Sequence, residues 1–189
     1  MSISYGRADV FVPLEEDPRE GRARPVGERA VLVEFLRCQR LTLELKCAGL
    51  DAGALARRSV PPSTMSLLGL VRHMAEVERL WFWRRLGGRG PREAPSLYVS
   101  AAEPDGDFDG AVADPAVVEE AWSAWRAQCA HTDAFVSGAA DLEGPARTDP
   151  HSGRVLDLRE VLVHMVEEYA RHNGHADLLR ERADGRVGQ

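Results

Sequence analysis

Cysteine is scarce in this sequence. Its three thiols, Cys38, Cys47 and Cys129, form no CxxC pair and cannot all pair within one chain. That argues against the even-numbered disulfide framework of an oxidised secreted domain, so they read as reduced, small, buried hydrophobes. Long apolar runs are missing too. No stretch approaches the roughly 20 apolar residues of a membrane span, and the opening "MSISYGRADVFVPLEEDPRE" holds no run of signal-peptide length. A cytoplasmic location without a membrane partner is expected. Positive charge is also short: 24 Lys and Arg stand against 30 Asp and Glu, a formal net charge of −6, with no basic block. Phosphate-backbone binding needs a concentrated basic surface, so nucleic acid is not the expected partner. GxSxG, P-loop and dinucleotide glycine motifs are absent, which leaves elbow-type serine hydrolysis and nucleotide chemistry without support.

What remains is a chain of 189 residues, 44% hydrophobic and 29% charged, enough for one domain with a real core. Helical periodicity marks four segments. The first runs from about Gly27 to Leu50, with Gly49 as a stop. The second follows "PPSTMS", where hydroxyls set up a helix entry, and ends at Gly87-Gly88. The third begins at Asp114-Pro115, a cap followed by the proline favoured in the first turn, and reaches about Ala139. The fourth runs from near Asp157 to about Arg182. No segment holds a strand period for long.

Four amphipathic helices in one domain bury their apolar faces against each other, so the fold predicted is an all-α four-helix bundle. Residues 1–26 form an extended segment packed on it in places, 27–183 the bundle, and 184–189 a short polar tail. The connection between the second and third helices is long enough to let them run parallel. Within it, "DGDFDG" offers Asp105, Asp107, Asp109 and Gly110 as the start of a calcium loop. The bidentate Glu expected at position twelve is Ala116, so an acidic, turn-rich loop over the bundle end is preferred. His151 falls in another loop and is expected to be exposed.

The stretch "EEYARHNGHADLLRE", residues 167–181, concentrates the chemistry. At about 100° per residue, with His164 at zero, Glu168 falls near 40°, His172 near 80° and His175 near 20°. They make one stripe beside the apolar face of Leu158, Val161, Met165, Tyr169, Ala176 and Leu179. A carboxylate there needs a partner, because an unpaired buried charge is costly. On the second helix His73 lies within the apolar arc of Leu70, Met74, Val77, Leu80 and Trp81. Two inward histidines and one inward glutamate from facing helices form an open ligand set of a kind used by catalytic zinc and mononuclear iron sites. The competing reading is a hydrogen-bonded core histidine opposite a solvated Glu-His pair. His175 is expected to support the ligands or relay a proton, and Glu76 or Glu78 to orient His73, unless they pair with Arg72 or Arg79. Trp81, Phe82, Trp83, Trp122 and Trp125 are read as core and pocket wall.

"LLGLVRHMAEVERLWF", "EPDGDFDG" and "EEYARHNGHADLLRE" together resemble the DinB/YfiT-like superfamily, in an actinobacterial branch, over nearly the whole chain from about residue 27. The resemblance implies a four-helix bundle with a long connection after the second helix and a divalent metal held by three side chains at one end. The commonest pattern in that superfamily is three histidines. Alignment of "HRGQ" with "HNGH" puts the second ligand of the last helix at His172 and the first at Glu168, with His73 as the second-helix ligand. The glutamate departs from three histidines and is similar to the mycothiol-dependent maleylpyruvate isomerase branch.

The resemblance further implies a low-molecular-weight thiol, mycothiol or a relative, as cofactor or co-substrate. It also implies a small-molecule substrate and a homodimer. Zinc is the first expectation for the ion, with nickel, iron and manganese also suited to N/O ligands. The function expected is a metal-dependent thiol transferase or isomerase. The rivals are a non-catalytic binding or stress-associated module with a structural metal, and hydrolysis by metal-activated water.

Overall fold

The computed structural model describes residues 11–149 and 153–188; His151 lies outside them. The chain is mostly helical. Its long helices are α1 (Glu28–Cys47), α3 (Leu67–Arg79), α5 (Pro115–Gly138) and α6 (Leu158–Asp184), with short α2 (Ala52–Ala56) and α4 (Gly106–Asp109) in the connections. Three helix entries follow from hydroxyl or carboxylate caps. Ser66 accepts from the Gly69 N–H, Asp114 from Ala116 and Asp157 from Glu160, each satisfying an amide that the helix itself leaves free. At its far end α6 stops at Gly185, whose φ of 79° few other residues adopt readily.

Two local features depart from the sequence expectation. The second helix does not continue as α to Leu86. Residues Leu80–Arg85 form a π-helical segment in which the Leu86 N–H reaches back to the Trp81 carbonyl. A two-residue antiparallel pair, β1 (Arg147–Thr148) with β2 (Val155–Leu156), also sits in the loop before α6. It is too short to leave an alternating pattern.

Side-chain partners give the helix directions. Glu28 meets Arg159, Gln39 meets Asn173 and Lys46 meets Asp177, so α1 and α6 run parallel. Arg72 meets Glu120, Glu78 meets Thr132 and Phe82 meets Phe135, so α3 and α5 also run parallel, as the long connection between them allows. The two pairs oppose each other: His73 lies against His172, and Trp81 against His164. One apolar core joins all four long helices, including Leu36, Leu43, Leu70, Met74, Phe82, Trp125, Leu162, Met165 and Tyr169.

A polar network crosses that core. Glu78, with no exposed surface, accepts from Arg40 Nε at 2.8 Å and Nη2 at 2.9 Å, from Thr132 Oγ1 at 2.5 Å and from Tyr169 OH at 3.0 Å. Trp125 Nε1 donates to the same Tyr169 oxygen at 2.8 Å. Both carboxylate oxygens are therefore saturated, and the cost of burying the charge is offset by a bidentate guanidinium and two hydroxyls.

The apolar edge of the connection returns to α3 as well. α4 lies so close to Gly69 that a β-carbon there would stand 2.7 Å from the Phe108 ring. Glycine at that turn of α3 is what lets the acidic loop dock, and the docking carries Asp107 and Phe108 to His73.

Candidate metal centre

His73 leaves α3 one turn after Gly69, while Glu168 and His172 leave α6 one turn apart. Each of the three offers a donor atom, and these atoms all lie within 4.8 Å of one another. Ligand atoms about 2.1 Å from a tetrahedral ion stand about 3.4 Å apart, so closing the set needs the three side chains to draw inward. The three side chains are partly shielded, at 26%, 21% and 13% exposure for His73, Glu168 and His172. An ion between them would keep an open side. Among the described residues, the ion-pair partners of Glu168 are imidazoles, His164 Nε2 at 3.3 Å and His172 Nε2 at 3.6 Å, with no Lys or Arg. A shielded carboxylate facing imidazoles suits a divalent cation.

Each donor has its own support. His73 Nδ1 lies 2.7 Å from Asp107 Oδ2, and the imidazole stacks on Phe108 with ring centroids 5.3 Å apart. That leaves the His73 Nε2 for the centre, in the carboxylate–histidine arrangement common behind metal-binding histidines. Asp107 is itself buried. His164 contacts the Glu168 oxygen that does not face His172, and lies tilted against Trp81 with ring centroids 4.3 Å apart. His175 Nδ1 stands 3.3 Å from His172 Nδ1, on the side of that ring away from Glu168.

The structure therefore corrects the expectation for the group that orients His73. Glu76 accepts from the backbone N–H groups of Tyr98 and Val99, at 2.5 and 3.3 Å, and holds the long connection. Glu78 belongs to the core network. Arg72 and Arg79 pair with neither glutamate: Arg72 donates to the carbonyls of Asp107 and Gly106, and Arg79 to that of Pro95. The role falls to Asp107, the middle acid of "DGDFDG". Its neighbour Asp109 is exposed and pairs with Arg58 at 2.7 Å. The one hint in the sequence was Phe108, an apolar residue in an acidic run that needed a surface to pack on. Among the aromatics, Trp125 and Phe82 join the core, Trp122 packs edge-on against Trp125, Trp81 walls the centre through His164, and Trp83 stacks on His131 away from it.

Burial, with His73 and His175 close by, lowers the His172 pKa from 6.5 to about 4. The ring is thus neutral at pH 7, the form that binds a cation. In metal-free protein an unfolded His172 takes its proton near 6.5 while the folded one resists until about 4. The stability that this neutral ring contributes is complete above pH 6.5 and is lost as the pH falls through that window. Urea midpoints of metal-free protein between pH 7.5 and 4.5 are expected to fall more steeply for wild type than for His172→Gln.

Asp107→Asn tests the support of His73. It keeps shape but loses the acceptor charge, and about a 10–100-fold loss of metal affinity is expected in a chelator competition, with little change in melting temperature. An unchanged affinity would show that the contact with His73 contributes nothing to metal binding.

The geometry defines a helical protein that presents a two-histidine, one-carboxylate donor set on facing helices. Among the described residues no helix is long and apolar enough to cross a membrane. The family described as Mycothiol-S-transferase matches residues 31–185 of the chain, which belongs to that family and, with it, to the DinB/YfiT-like superfamily. A search of curated proteins gives no match.

Proposed function

We propose that the protein is a divalent-metal-dependent S-transferase that joins a mycothiol-type thiol to an electrophilic small molecule. We read its four long helices as the bundle that this centre requires. The observation that carries the proposal is the convergence of His73, Glu168 and His172 in a chain of the mycothiol S-transferase family. These three would hold the ion, with zinc as the first choice. When bound, such an ion supplies a Lewis acid that favours the thiolate over the thiol.

The chain's own thiols do not serve instead. Burial raises the pKa of Cys38, and it pushes Cys47 to about 12 and Cys129 higher still, so all three stay protonated at neutral pH. The reacting sulfur is therefore brought in by a diffusible molecule. Its proton leaves to solvent, its sulfur forms a bond to the electrophilic carbon, and the electron pair displaced from that carbon leaves with the departing group.

Asp107 holds His73 with Nε2 forward, and His164 holds the second oxygen of Glu168. With His172 donating to the ion through Nε2, its Nδ1–H points at His175 Nδ1. The contact then uses up that lone pair of His175, so we assign His175 to orienting His172 rather than to a proton relay. Phe108 covers one face of His73, and Trp81 packs on His164 behind Glu168.

The test is a panel of electrophiles offered to zinc-loaded protein with and without mycothiol. Thiol conjugates that form only with both metal and thiol are expected. Turnover without thiol would replace the reading with metal-assisted hydrolysis. No turnover, with metal-dependent melting, would replace it with a binding module.

A further inference from the structure

A second polar site lies between the π-helical segment, the loop after it and β1. Four arginines from three parts of the chain line one groove of about 590 Å³: Arg84 and Arg85 from the π-helical segment, Arg89 from the loop after it, and Arg147 from β1. Among the described residues no carboxylate lines that groove, in a chain whose formal net charge is −6. Of the acids beside it in sequence, Glu93 is bound to the Gly90 N–H at 2.9 Å and Asp149 pairs with Arg85. Only Arg85 has an acidic partner, Asp149 Oδ1 at 3.4 Å, and its Nε is buried with no hydrogen-bond partner among the described residues.

The guanidinium groups are also held in place. Arg147 Nε donates to the Leu86 carbonyl at 2.7 Å, Arg84 Nη1 reaches Ser96 Oγ at 3.4 Å, and Arg85 and Arg89 lie over Trp81 and Trp83 at 4.4 and 4.2 Å. Gly88 makes room for this. Its φ of +67° turns the loop back, and any β-carbon there would stand 2.5 Å from the Arg147 guanidinium. Four like charges brought together at a cost in mutual repulsion, and pre-ordered by stacking, match a multiply charged anion.

We propose that this groove binds a small dianion, a phosphate monoester or a compact dicarboxylate, with Arg84 and Arg89 as its freest donors. The groove is large enough for a metabolite and too small for a nucleic-acid backbone. The inference does not depend on the metal or the thiol.

The experiment is calorimetric titration of the full chain with inorganic phosphate, glycerol 3-phosphate and succinate at low ionic strength, with tryptophan fluorescence as a second readout. Saturable one-to-one binding is expected with at least one of these anions. It should weaken at least tenfold in the double variant Arg84→Gln, Arg89→Gln and also as salt is raised. Phosphate compounds binding tighter than succinate would assign phosphoryl recognition, and the reverse would assign a dicarboxylate; either sustains the groove. These two arginines anchor no core element, so the variant should melt as wild type does. Binding to none of the three anions, or equal binding by wild type and a folded double variant, would overturn the proposal.

Discussion

Replacement of His172 by alanine is expected to abolish stable metal binding. Wild type loaded under metal-replete conditions and desalted should hold about one divalent ion per chain, and the variant close to none. The affinity loss should exceed about 100-fold, because a lost ligand costs more than a lost supporting contact. The effect should be local. His172 is 13% exposed and sits at the margin of the core, so the apo variant should still fold. Elemental analysis with circular dichroism on the same samples separates the two outcomes. His73→Ala is expected to behave the same way from the other helix. Equal, near-zero metal in wild type and both variants would remove the metal centre from the account.

The largest effect on stability is expected at Glu78, one turn beyond the centre on α3. Glu78→Ala leaves the Arg40 guanidinium, with a side chain only 10% exposed, without its bidentate partner and with the exposed Asp133 carboxylate, 2.7 Å from Nη1, as its remaining acidic contact. The Thr132 and Tyr169 hydroxyls lose their acceptor at the same time. Breaking such a buried pair costs about 3–5 kcal/mol, which for a chain of this length lowers the melting temperature by roughly 6–20 °C. A double variant with apolar residues at both Arg40 and Glu78 should recover part of that loss, since a buried guanidinium stripped of its bidentate partner costs more than no charge. Metal affinity of Glu78→Ala, measured below its melting temperature, should stay within a few-fold of wild type. A small stability loss coupled to a large metal loss would instead return Glu78 to the role of orienting His73.

Glu76 and Glu78 show how far the sequence could be read. The caps at Asp114 and Asp157, the hydroxyl entry before α3 and the breaks at Gly49 and Gly87 are short-range signals, and the four long helices follow them closely. The stripe of Glu168, His172 and His175 was legible for the same reason: helical geometry alone puts them side by side. That His73 meets them could be inferred because an inward histidine on a packed helix has few places to go. Which acid stands behind His73 was a different kind of question. Glu76 and Glu78 were near in sequence, but each is claimed by a partner far along the chain, the Tyr98–Val99 backbone and Arg40 respectively. Asp107 reaches His73 only because a loop folds back over Gly69, and loop return is a tertiary fact without a period. The π-helical turn at Leu80–Arg85 was hidden likewise, since one changed backbone bond leaves the apolar pattern nearly intact.

Metal identity and location meet in one experiment: crystals grown with zinc, with anomalous diffraction recorded on both sides of the zinc edge. The account predicts one strong peak per chain within bonding distance of His73 Nε2, His172 Nε2 and a Glu168 carboxylate oxygen, with Asp107 still on His73 Nδ1. A peak elsewhere on the surface, or none while these three side chains point apart, would contradict it.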